Sequence, residues 1–271
     1  MTAHVPHQLG LCSVTFRALA PSAIIELAAA ADVTAIEWGS DRHAPPGELT
    51  LAREVAQRCR DAGIRISSYG SYVEAGAVTG QAFAPVLETA AVLGAPVIRV
   101  WAGARGVGSL ESTNEARHAA VDALRAMSGE AEAAGIAIAL EFHPRTLTDT
   151  LASTLALIAD VGHRNLYTYW QPRPGIGLEE SLDELSQLRA RLAHLHVFAW
   201  TADGRRLPLA EHETLWLPRL RRSAEIAMML PGPRVAMIEF VADDDAVALR
   251  RDAQALGQWL AAVEGEDDTR L

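Results

Sequence analysis

The sequence predicts an α/β fold, a single (β/α)8 barrel in which a parallel, closed eight-stranded sheet is ringed by outer helices. Three observations carry this expectation. Short apolar runs rich in β-branched residues alternate with longer Ala/Leu/Glu/Arg-rich segments, and eight such pairs can be counted. The length, 271 residues, suits a barrel of this kind, which needs roughly 250. The rival open, doubly wound sheet usually carries a GxGxxG or phosphate loop after its first strand, and LGLCSVTFRAL contains neither.

In chain order, strands are expected at 9–14, 34–38, 64–69, 96–101, 136–141, 166–170, 193–198 and 235–240. The helices between and after them are expected at 22–31, 48–62, 81–93, 112–134, 150–161, 178–191, 214–230 and 245–263. Several helices end on a glycine or small residue that lets the chain turn straight into a strand, as in DAGIRI, VLGAPVI and EAAGIAI. No composition shift marks an internal boundary, so residues 1–271 are read as one domain, with an irregular lead-in at 1–8 and an acidic tail at 264–271. The longest non-periodic stretch, 200–216, follows strand seven, where barrels carry functional loops.

Composition removes several classes of function. A net charge of −10 without a basic stripe disfavours binding to a nucleic-acid backbone. The chain contains no lysine, which excludes lysine Schiff bases and lysine-anchored pyridoxal phosphate. Cys12 and Cys59 lie on different elements without CxxC spacing and read as buried thiols. The N-terminus lacks a secretory pattern and no stretch approaches a membrane span, so a cytoplasmic protein with no membrane partner is expected.

The chemistry collects at strand ends. The segment IAIALEFHPR closes an apolar run with Glu141 and His143, AHLHVF contains His196, and VAMIEF contains Glu239. Strand side chains alternate with period two. Glu141 therefore shares a face with Ala137 and Ala139, His196 with His194, and Glu239 with Val235 and Met237. The opposite parity holds Ile138, Leu140, Leu195, Val197, Ile238 and Phe240, which suit packing under the outer helices. Two carboxylates and an imidazole from three strands form a plausible divalent-metal set, better matched to Mn²⁺, Mg²⁺ or Co²⁺ than to structural Zn²⁺. Such an ion polarises a carbonyl and its neighbouring hydroxyl and acidifies the carbon-bound proton between them.

The segments IEWGSDRHAPPG, SYGSY, LGAPVIRVWAG, IALEFHPRTLTDT, YWQP, HLHVFAW and MIEFV resemble the xylose isomerase-like TIM-barrel superfamily of sugar and sugar-phosphate isomerases and epimerases, over nearly the whole chain. The resemblance implies a metal held by Glu, Asp, His and Glu at successive strand ends. Glu141, His196 and Glu239 match three of these positions. The strand-six Asp is missing, and Gln171 in TYWQP is the nearest oxygen donor, neutral and weaker than a carboxylate. In the ketose epimerases of the family the two metal-binding glutamates also act as acid and base on opposite faces of an enediolate, which implies that role for Glu141 and Glu239.

Other residues have a bland reading beside the functional one. His143 could orient substrate or bond its own turn. His43 could reach the mouth or lie in a surface loop, and Glu37 could contact substrate or form an internal ion pair. His194 reads as a satisfied core histidine. Trp38, Trp101, Trp170 and Trp200 lie at or beyond strand ends, where two of them are expected to wall a sugar. Arg99, Arg145, Arg173 and Arg206 could clamp a phosphate.

The sequence thus points to a divalent-metal-dependent isomerase or epimerase acting on a small sugar-like molecule through an enediolate. A dehydratase or lyase on a sugar- or inositol-derived ketone would use the same proton abstraction with a different fate. A metal-free sugar-binding protein on a decayed barrel is the reading from outside enzymology, motivated by the missing Asp. Apurinic endonucleases share the superfamily but need more zinc ligands and a basic surface, both absent from this sequence. The Ala-rich face of 112–134 would permit a homodimer.

Overall fold

The computed structural model of the chain describes residues 6–268 apart from 78–80, 174 and 202, and only the backbone of 266–268. Eight parallel strands close into a barrel in sequence order, β8 pairing with β1. They are β1 His7–Cys12, β2 Ala35–Gly39, β3 Arg65–Ala75, β4 Val97–Ala102, β5 Ala137–Leu140, β6 Leu166–Trp170, β7 Leu192–Val197 and β8 Arg234–Ile238. A helix follows each: α1 Pro21–Ala30, α2 Leu49–Asp61, α3 Phe83–Leu93, α4 Asn114–Ala133, α5 Leu151–Val161, α6 Leu178–Leu188, α7 Glu213–Ala224 and α8 Ala246–Asp268. This is the expected fold class. No helix among the described residues is long and apolar enough to cross a membrane.

The alternation of the strands divides the core in two. Ile36, Ile98, Ile138, Leu140, Leu195, Val197 and Ile238 pack outward beneath the helices. Inside the barrel lie Cys12, Ala35, Val97, Ala137, Ala139, Tyr169, Val235 and Met237. Small residues on β5 leave space within the barrel for larger side chains from other strands. Cys12 and Cys59 are free buried thiols, as expected.

Several boundaries differ from those expected, four of them by enough to matter here. Residues 7 and 8, expected in an irregular lead-in, pair with Arg234 and Val235 and belong to β1; residues 1–5 lie outside the described part. Strand β3 continues from Tyr69 to Ala75 because a shift in register between Gly70 and Glu74 lets it follow β4 beyond the mouth. Helix α7 stops at Ala224 instead of running to 230. The buried Arg234 ends it by donating through Nη1 to the carbonyls of Ser223 and Ile226, the favourable placement of a cation at a helix C-terminus. The freed run Met228–Met229–Leu230 turns back under the barrel, where Leu230 packs on the inner core. At the other end, α8 carries the acidic segment through Asp268, and 269–271 lie outside the described part.

Candidate active site

At the C-terminal mouth, Glu141 follows β5, Gln171 follows β6, His196 is the last inward residue of β7 and Glu239 follows β8. Period-two alternation turns all of them inward, and all are buried. His196 is the centre. Its Nδ1 lies 2.8 Å from Gln171 Oε1, 3.5 Å from Glu239 Oε2 and 3.9 Å from Glu141 Oε1. Its Nε2 faces Glu37 Oε1 at 3.6 Å. Glu141, His196 and Glu239 each offer one ligand atom, all within 4.8 Å of one another.

Arg99, inward on β4 and 3% exposed, organises the acids from below. Its Nε donates to Glu37 Oε1 at 3.2 Å and its Nη1 donates to Glu141 Oε2. Trp101 Nε1 donates to that same Oε2. Glu141 therefore has one oxygen pinned and Oε1 turned toward His196. Burial opposes ionisation of Glu37, but Arg99, His196 and the Ser68 hydroxyl, 2.8 Å away, outweigh it and hold its pKa down at about 2. Space for this arrangement depends on Gly70. A Cβ there would stand 2.8 Å from Glu37 Oε1 and 2.9 Å from Arg99 Nη2.

The donor set fits a divalent cation. Glu37, Glu141 and Glu239 bring three buried carboxylates against one guanidinium, leaving a formal charge of −2 around His196. The imidazole also has the orientation of a metal ligand, with one nitrogen toward the oxygen donors and the other toward a carboxylate that can accept its N–H. An ion here would be held by Glu141, Gln171, His196 and Glu239.

A cavity of about 330 Å³ opens above these groups. Its lining includes Glu141, His143, Gln171, Arg219 and Glu239, with aromatic walls from Phe198, Trp200, Trp216 and Phe240. Trp200 stacks on Phe198 at 4.6 Å and approaches Phe240 at 5.7 Å. His143 Nδ1 bonds the Pro144 carbonyl at 2.7 Å, so Nε2 is free to accept from a ligand. Burial keeps the His143 pKa below its ordinary value. Trp101 does not line the cavity itself but backs His143, its ring 5.7 Å from the imidazole.

Several expected contacts are not brought to the cavity. Trp38 and Trp170 have the outward parity and are fully buried beneath helices; Trp170 Nε1 donates to Glu184 Oε2 at 2.9 Å. His43 is neither at the mouth nor in a surface loop, being 1% exposed with Nδ1 bonded to Ser13 Oγ at 2.9 Å. Glu37 is an internal ion-pair partner. Arg206 lies beyond Phe240, 4.3 Å over its ring and bonded to Asp244. The arginines form no phosphate clamp: Arg99 is beneath the acids, Arg145 donates to the Gly106 carbonyl, and Arg173, on the cavity wall, is held by Glu180 and Glu184. His194 is in the core as expected but is not fully satisfied, its Nε2 having no hydrogen-bond partner; burial and the nearby Arg65 push its pKa down to about 3.

Phe240 reverses its expected direction. Its φ of 62° breaks the strand alternation after Ile238 and swings the ring into the mouth. Ser68 and Arg219 were not singled out from the sequence. Arg219 is 3% exposed, 5.7 Å from the Trp170 ring and 5.3 Å from the Trp216 ring, with Nε donating to Ser181 Oγ at 2.9 Å. Burial lowers its pKa to about 10 despite the nearby Glu184. Nothing in LPRL distinguishes it from a surface arginine.

Fold and mouth together define a (β/α)8 barrel with a buried acid–imidazole cluster whose ligand atoms could hold a metal ion. The family model described as xylose isomerase-like TIM barrel matches residues 25–223, and the chain belongs to that family of enzymes. A 3-dehydroshikimate dehydratase of Bacillus anthracis is 32% identical over 105 residues, a match spanning 36% of this chain and 35% of that protein. Among solved structures, a probable 3-DHS dehydratase from Bacillus anthracis superposes with a TM-score of 0.74 at 21% identity, covering 92% of this chain and 98% of the other. A D-psicose 3-epimerase crystallised with D-fructose gives 0.71 at 16% identity, covering 93% and 97% respectively. At these identities the solved structures establish the fold alone.

Proposed function

We propose that this chain is an isomerase or epimerase that moves a proton at the carbon beside a carbonyl of a small polyhydroxylated substrate, through an enediolate. The observation that carries the reading is the approach of Glu141 Oε1 and Glu239 Oε2 to one imidazole nitrogen from different strands. Two carboxylates so placed flank a bound carbon from two sides. Glu239, as the carboxylate, takes the proton, and Glu141, which must enter the cycle protonated on Oε1, gives its own to the opposite face, so that the two exchange protonation states; Arg99 and Trp101 hold the other oxygen of Glu141 in position. His143 Nε2 accepts from a substrate hydroxyl, and Trp200 and Phe240 cover the C–H faces and exclude water. A divalent ion held by Glu141, Gln171, His196 and Glu239 would supply Lewis-acid polarisation of the carbonyl and adjacent hydroxyl.

A dehydratase reading is favoured by Arg219. A buried guanidinium beside aromatic walls suits the carboxylate of a ring substrate such as 3-dehydroshikimate. The same proton abstraction would then be followed by loss of a hydroxyl as water, leaving an aromatic ring. The protein loaded with Mn²⁺ should be given D-fructose, D-psicose and 3-dehydroshikimate in parallel, with sugar chromatography and aromatic absorbance as readouts. Epimer formation abolished by Glu239→Gln supports the first reading, and aromatic product abolished by the same substitution supports the second. Turnover that survives Glu239→Gln, with a normal melting curve, refutes the acid–base assignment in both.

A further inference from the structure

A second cavity, of about 250 Å³, lies at the opposite end of the barrel, among the N-terminal ends of the strands. Arg65 of β3, Tyr167 of β6 and His194 of β7 line it, together with Met228, Met229 and Leu230 from the α7–β8 connection. The proposed reaction uses none of these residues.

Two donors here lack acceptors. The backbone N–H of Val235 donates to His194 Nδ1 at 3.1 Å. That nitrogen therefore carries no proton, and the ring N–H is on Nε2. His194 Nε2 is buried without a hydrogen-bond partner, although the whole residue is only 2% exposed. Arg65 donates through Nε to Gln8 Oε1 at 2.8 Å, while its Nη2 is likewise buried and unpartnered. A buried donor left unmade costs ~1–3 kcal/mol, and more where it is charged. Glu132, the one carboxylate on the lining among the described residues, is engaged by Arg164 at 2.7 Å.

We propose that this cavity binds a small monocarboxylic acid with a compact apolar body. Its carboxylate would accept from Arg65 Nη2 and His194 Nε2, and its body would pack on Met228, Met229 and Leu230. A single guanidinium matches the single charge of a carboxylate and would leave a phosphate dianion under-neutralised. The apolar wall selects against small hydrophilic anions. Met229, 67% exposed at the rim, marks the side from which a ligand would enter.

Calorimetric titration of the whole chain with benzoate and with benzyl alcohol tests this. Benzoate should bind wild type and Glu239→Gln alike, and benzyl alcohol should bind far more weakly. Arg65→Gln should weaken benzoate about tenfold or more, as expected for loss of a charge-assisted hydrogen bond. Because Arg65 also anchors Gln8, Met229→Glu and Met229→Lys provide a pair at an exposed position, expected to weaken and tighten binding respectively. Any of four results overturns the proposal: no benzoate binding at millimolar concentration, equal binding of benzyl alcohol, loss of binding with Glu239→Gln, or binding insensitive to the Met229 charge pair.

Discussion

Arg99→Met, made in the metal-free protein, tests the electrostatic account of the mouth. The substitution retains much of the apolar stem and removes the cation that contacts both Glu37 and Glu141. For Glu37 alone, the fall from an ordinary 4.5 to about 2 corresponds to ~3 kcal/mol of native-state stabilisation. Some of this comes from His196 and Ser68, but Glu141 loses the same cation. Removing one partner of a buried ion pair independently suggests ~3–5 kcal/mol. A destabilisation of ~3 kcal/mol near neutral pH is therefore expected. The pH dependence follows from the direction of the shift. A carboxyl whose native pKa is depressed contributes fully above its unfolded value and loses that contribution as pH falls toward the native one. The gap between wild type and variant should accordingly be widest above 4.5 and narrow as the pH approaches about 2. Urea unfolding of chelator-treated protein across this range measures it. A gap below ~1 kcal/mol, the level of an exposed pair, or one that does not vary with pH, would refute the reasoning.

Three further results are expected. Gln171→Asp should tighten Mn²⁺ binding and lower the metal-free melting temperature, because it adds a fourth carboxylate to the cluster; thermal melting over a metal titration reads both. Trp170→Phe should lose ~1–3 kcal/mol of stability with the hydrogen bond to Glu184 while leaving KM unchanged, whereas Trp200→Ala should raise KM at little cost in stability. Gly70→Ala should destabilise by ~1–3 kcal/mol through its overlap with Glu37 and Arg99, measured by unfolding, and should depress turnover by displacing Glu141.

The placement of individual side chains shows which parts of the mouth were legible. Glu141, His196 and Glu239 interrupt apolar runs at inward parity, and the barrel brings their ligand atoms within 4.8 Å. The same parity rule separates Trp101, inward with Arg99, from Trp38 and Trp170, which adjoin inward polar residues but point outward. A strand-end position alone does not bring a tryptophan to the cavity; its parity decides. Parity fails where the strand itself ends: the positive φ of Phe240 has no sequence signal in a phenylalanine. Arg219 was illegible for another reason. An arginine on an amphipathic helix is ordinarily solvated, and only the packing of α6 against α7 encloses this one between Trp170 and Trp216.

The sequence by itself determined the barrel and the inward set of acids and imidazole, because these follow from local periodicity and from eight successive strand–helix pairs with no glycine-rich loop after the first strand. Tertiary structure alone decided which charges meet. Arg99 lies 62 residues from Glu37 and 42 from Glu141, yet barrel closure brings it against both. Arg234 likewise ends α7 and turns Met228–Leu230 under the barrel floor. Such contacts depend on the register and tilt of the whole sheet, which no local stretch of sequence encodes.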